Sequence, residues 1–85
     1  MEILLTEQFE QAYQKLTSAE KQSVRKALAL IGDNPRYPGL HVKKMEGRNI
    51  WEARASRRLR MTFEMSGEDI LMRNVGRHDK VLRSP

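Results

Sequence analysis

From Ile50 to Phe63 apolar and polar residues alternate on both sides of a three-residue connection. Trp51, Ala53 and Ala55 form one set, and Glu52 and Arg54 the other. After Ser56-Arg57-Arg58 the apolar set resumes with Leu59, Met61 and Phe63, while Arg60 and Thr62 take the opposite side. A period of two predicts a hairpin with one buried and one open face, and the open face displays arginine.

Upstream the period changes. Phe9, Ala12, Tyr13 and Leu16 lie at i, i+3, i+4 and i+7, and Val24, Ala27, Leu28 and Ile31 repeat that spacing, so each set makes one face of a helix. Thr6 is placed to cap the first helix, and Thr17-Ser-Ala-Glu20 has the spacing of a capping box for the second. Gly32 is predicted in a left-handed position after the second helix, with Asn34-Pro35 closing it. Helices joined by so short a link form an αα-hairpin. Residues 2–5 predict a short strand, edge or central. Residues 35–47 read mostly as loop, with a short strand or single turn over 40–45. Gly47-Arg48-Asn49 and Ser66-Gly67 are turns, and residues 69–75 make a third long strand. The run from Gly76 to Pro85 leaves that strand. The order β-α-α-β-β-β predicts an α+β fold, an αα-hairpin packed on one face of a small antiparallel sheet, as a single domain over residues 1–85.

An 85-residue chain has a thin core, since this size buries only about 60–65% of the unfolded surface. It has no cysteine, which removes disulfides and thiolate metal sites. No stretch approaches the roughly 18 apolar residues of a membrane span, and Glu2 stands where a secretory signal would be basic. A cytoplasmic protein without membrane contact is expected. Charge is unevenly spread: residues 1–34 carry four basic and five acidic side chains, residues 35–85 twelve and six. A basic second half points to a polyanionic partner on one side of the molecule, nucleic acid or acidic protein.

No metal-ligand spacing, phosphate-cradling glycine loop or nucleophile elbow is present, and no cofactor is expected. What remains is a cationic cluster and one imidazole beside it: Arg54 and Arg60 on the open face, Arg77, His78 and Lys80 after the third strand, and Lys43, Lys44 and Arg48 before the hairpin. Such a set suits cleavage of RNA, where the ribose 2′-OH is the nucleophile and the protein supplies a base, an acid and cations for the phosphorane. Arginine offers phosphate a bidentate fork, and histidine exchanges a proton near neutrality. Plainer readings stand beside these. Glu52 or Glu64 would pair with the arginines across strands, and His78 would cap a turn beside Asp79. Trp51 reads as core, and Tyr37, in its proline-rich loop, is the aromatic free to stack.

Taken in order, Lys43-Lys-Met-Glu-Gly47, Ile50-Trp-Glu-Ala-Arg54, Leu59-Arg60 and Asn74-Val-Gly-Arg-His-Asp79 resemble the RelE/ParE superfamily of bacterial and archaeal toxins from type II toxin–antitoxin pairs. The resemblance covers nearly the whole chain and extends to the subgroup whose last strand runs into Val-Gly-x-His-Asp. It implies a metal-independent mRNA endonuclease acting in the ribosome, or, as in ParE-type members, a DNA gyrase inhibitor; a non-catalytic antitoxin-binding module is the third reading. An acidic antitoxin would wrap the toxin in a hetero-oligomer. Of two alternate strand positions that are basic in RelE-type nucleases, Arg54 keeps one and Glu52 reverses the other. Arg60 matches the phosphate-binding arginine, Arg77 and His78 match the basic pair after the last strand, and Leu82 stands near the family's C-terminal tyrosine. The expected catalytic set is Arg54, Arg60, Arg77 and His78. Lys43, Lys44, Arg48, Arg57, Arg58, Lys80 and Arg83 are expected to contact RNA and the ribosome.

Overall fold

A computed structural model describes residues 2–85. The elements run β1 (Ile3–Leu5), α1 (Glu7–Gln14), α2 (Ser18–Asp33), a 3-10 turn (Pro38–Leu40), β2 (Lys43–Lys44), β3 (Trp51–Arg54), β4 (Leu59–Ser66), β5 (Asp69–Arg77) and α3 (His78–Arg83). Both long helices start where their side chains can satisfy free backbone donors. Thr6 accepts from the Phe9 N–H at 3.2 Å and donates to the Met72 carbonyl at 2.8 Å, so the cap also ties α1 to the sheet. Thr17 and Glu20 form the reciprocal capping box, at 3.1 and 2.9 Å. Gly32 does not end α2. The helix runs on to Asp33 with Asn34 as its cap, and a Cβ on Gly32 would meet Ile3 Cδ1 at 3.3 Å, so this glycine permits close packing of α2 on β1.

The sheet order is β1-β5-β4-β3-β2. The helices lie on one face, as expected, but the sheet is mixed rather than wholly antiparallel: β1 is an edge strand parallel to β5, with Ile3 opposite Ile70 and Leu5 opposite Met72. The hairpin register pairs Trp51 with Phe63, Ala53 with Met61, and Glu52 with Thr62, so the alternating sets fall on the expected sides. Phe9, Val24 and Ile31 from the helices meet Ala53, Met61, Phe63, Ile70 and Met72 from the sheet in one buried cluster. Phe9 and Phe63 are fully enclosed, each contributing about 1.5–3 kcal/mol by leaving water.

Two features of the second half were not visible in the pattern. Thr62 pairs with Asn74 but Phe63 pairs with Met72, which leaves Arg73 as an extra residue in β5, a bulge. Ile70 and Met72 face the helices before it, and Val75 and Arg77, opposite Met61 and Leu59, face them after it. Arg73 and Asn74 both turn to the outer side. That side is only partly open, because the C-terminal run folds back across it as α3 and a short tail. Asn74 Nδ2 donates to the Ser84 carbonyl at 2.7 Å, and Thr62 Oγ1 and Arg73 Nε donate to the Pro85 carbonyl at 2.8 and 3.2 Å. Val81 is buried against Gly76. Thr62 and Asn74 are thus buried polar residues with partners.

A candidate phosphate cleft

β2 and β3 pair Lys43 with Glu52, and β3 and β4 pair Arg54 with Arg60, all on the outer face. Like charges directly opposite one another cost stability, so the two arginines need compensation. Arg60 finds it inward. Its Nη1 donates to the carbonyls of Ser56, Arg57 and Leu59 at 3.2, 3.0 and 3.2 Å, which also fixes the β3–β4 connection. Its Nε lies 3.5 Å from Glu52 Oε1, with side-chain exposures of 12% and 7%. Among the described residues no hydrogen bond takes up Nη2. Arg54 and Lys43 remain exposed.

These groups line one cleft of about 370 Å³ with His78, at the start of α3, and His41. The last strand delivers His78 here because α3 folds back over the outer face. His41 arrives by an unusual backbone: its φ of +48° places a non-glycine residue in the left-handed region, after the 3-10 turn. The cleft therefore combines three permanent cations, two imidazoles and one nearly buried carboxylate, a composition that can hold a phosphate and move two protons.

Of the expected catalytic set, Arg54, Arg60 and His78 meet in this cleft, and Lys43 joins them. Arg77 does not. The bulge turns it to the helix face, where it lines a second cleft with Lys15, Glu20, Lys80 and Arg83. There the Glu20 carboxyl is held below its ordinary range, chiefly by the Thr17 N–H, with Arg77 among the lesser causes. Lys44 pairs with Trp51, Arg48 lies in the β2–β3 turn, and Arg57 and Arg58 cap the hairpin; all four are exposed away from the cleft lining. Leu82 is exposed and lies outside the cleft lining. Two lining residues carried little signal in sequence. Glu52 reads there as a charge reversal, although its alternation with Arg54 already placed it on the arginine face. His41 gave none, because a left-handed residue after Pro-Gly-Leu is not encoded by periodicity.

Among the described residues no group of three or more His, Cys, Asp or Glu is placed to hold a metal ion, and no helix is long and apolar enough to cross a membrane. No protein-family model and no curated protein matches the sequence. Solved structures do match. The YoeB/ParE toxin from Agrobacterium tumefaciens superposes with a TM-score of 0.77 at 14% identity, covering 92% of this chain and 99% of that one. A chain of the RelB–RelE antitoxin–toxin complex from Methanococcus jannaschii gives 0.73 at 17%, covering 96% and 99%. YafQ from Escherichia coli strain BL21(DE3) gives 0.74 at 12%, covering 94% and 96%. The chain has the fold of the RelE/ParE-type toxins.

Proposed function

We propose that this RelE/ParE-fold chain is the toxin of a type II toxin–antitoxin pair and cleaves mRNA in the ribosome of its host's cytoplasm. The observation that carries the reading is the facing pair Arg54 and Arg60, with Lys43 and His78 in one cleft. An anion at that point relieves the repulsion between the two guanidinium groups and is held by both. The antitoxin is an acidic chain, matched to the surplus of basic residues after position 34. The solved relatives described as antitoxin–toxin complexes support such a partner.

In the reaction the 2′-OH attacks the adjacent phosphorus. Its proton passes to a base, and the departing 5′-oxygen takes a proton from an acid, leaving a 2′,3′-cyclic phosphate and a 5′-OH. Glu52, with its carboxylate 3.5 Å from Arg60 Nε, is the base. His78 is the acid. Arg54 and Arg60 stabilise the charge gathering on the phosphorane oxygens. Glu52 thereby acquires a role that a merely charge-reversed position would lack.

Expression in a host lacking the antitoxin, with mapping of RNA 5′ ends, tests the reading. Growth arrest with new message ends is expected, and both Arg54→Ala and His78→Ala, at exposed positions, relieve it. Arrest with intact messages and broken DNA identifies a gyrase poison instead. No arrest identifies a module that only binds its antitoxin.

A further inference from the structure

The loop that delivers His41 also closes a second cavity, of about 610 Å³, on the far side of the same segment. His41 and Val42 line both cavities, so the two meet at the β2 edge. The walls of the second are of a different kind. Trp51, Tyr37, Pro38 and Met65 supply flat apolar surface, and Arg36 supplies a guanidinium; no carboxylate lines it. Both phenylalanines are sealed in the core, whereas Tyr37 is 46% exposed. The Trp51 Nε1–H is buried and meets no acceptor among the described residues. A buried donor without a partner is costly, about 1–3 kcal/mol, and calls for an explanation.

We propose that this cavity is a nucleobase subsite, which takes the base of a nucleotide next to the phosphate held between Arg54 and Arg60. The proposal rests on the RNA reading above. Single-stranded RNA is read by splaying bases onto aromatic rings and guanidinium planes, and that is the surface Tyr37, Trp51 and Arg36 offer. A base also carries acceptors on its ring edge, which suit the orphan indole donor. Continuity decides between a base and an apolar peptide side chain: a strand whose phosphate sits in the cationic cleft passes His41 and Val42 directly into an aromatic-walled cavity without carboxylates. Charge agrees, since Arg36 extends the positive lining and nothing acidic opposes it.

Trp51 is the only tryptophan, so its fluorescence reports occupancy of this cavity directly. The probes are 2′-O-methyl tetranucleotides, whose blocked nucleophile prevents cleavage, with bases or with the same backbone made abasic. Binding is followed by anisotropy of an end label and occupancy by Trp51 emission. Base-bearing probes are expected to quench Trp51 and bind more tightly than abasic ones. Tyr37→Ala should weaken base-bearing probes by roughly 5- to 150-fold, the range that one lost base–aromatic stack spans, and leave abasic probes unchanged. Trp51→Phe, which keeps a ring and removes the donor, should narrow the preference among the four bases. Equal binding of both probe types without quenching overturns the subsite and leaves the phosphate cleft standing. Failure of both probe types to bind overturns the subsite and the phosphate cleft together. Quenching by an acidic peptide but not by bases makes the cavity a protein-docking site and overturns the proposal.

Discussion

Replacing Glu52 by glutamine separates the two roles the cleft gives it. In the native protein its carboxylate lies 3.5 Å from Arg60 Nε and both side chains are mostly buried. At that distance the gross attraction is about 5 kcal/mol with an effective dielectric of 20, and most of it offsets the desolvation of the two ions. Glutamine keeps the shape and an oxygen facing Arg60, so an ion pair becomes a charge–dipole contact, while the Arg60 bonds to the Ser56, Arg57 and Leu59 carbonyls stay in place. The difference is about 1 kcal/mol, or roughly 4–8 °C in melting temperature for a domain of this size. The protein should therefore remain folded at 25 °C. Cleavage should behave otherwise: without a base the rate falls about 10²- to 10⁴-fold. The assay pairs thermal melts with a ribosome-programmed cleavage time course on the same preparations. If E52Q melts lower but cleaves within threefold of the native rate, Glu52 only holds Arg60 in place and the proposed proton path is wrong.

Three further outcomes follow from the geometry. Arg54→Ala should lower cleavage about 10²-fold or more, as loss of a cation at the developing charge does, whereas Arg77→Ala on the helix face should lower it less than tenfold; equal losses would return Arg77 to the reacting phosphate. The carboxyl of Glu20 has its folded pKa depressed below the ordinary 4.5, so the stability it contributes is fully present above that value and is lost as pH falls through the depressed one. Melting temperature against pH should accordingly drop less steeply below pH 4.5 in Glu20→Gln, and parallel curves would contradict the capping box. Asn74→Ala removes the bond to the Ser84 carbonyl and the acceptor of the Val75 N–H. It should cost about 1–3 kcal/mol and speed amide exchange in α3 ahead of β3 and β4; uniform acceleration would mean that α3 is not separately anchored.

Local chemistry made much of this molecule legible. Thr6, Thr17 and Glu20 announce the helix starts because a cap needs only residues three positions apart. Trp51 to Phe63 announces its own facing because the hairpin pairs neighbours in sequence. What escaped depends on contacts distant in the chain. Three residues of β1 cannot indicate that their partner is residues 70–72, nor that they run parallel to it. The outer face looked open because Thr62 and Asn74 are polar, yet those side chains hold residues 84 and 85 over it. His41 enters the cleft through a left-handed backbone, and Arg77 leaves it through a change of register, neither of which leaves a periodic trace.

The extra residue at Arg73 has a consequence for how this strand can change. Because of it, one continuous strand sends Met72 and Val75 inward and still offers consecutive outward positions to the tail, where Arg73 also reaches Glu64 at 2.6 Å. Deleting Arg73 would join Met72 directly to Asn74, opposite the consecutive residues Phe63 and Thr62, so the ladder would run on without a bulge and Asn74 would still face outward and Val75 and Arg77 inward. A single codon lost at this place would therefore spare the facing of the strand and remove only the contacts of Arg73 to Glu64 and Pro85, whereas one lost later in the strand would turn the residues beyond it to the opposite side.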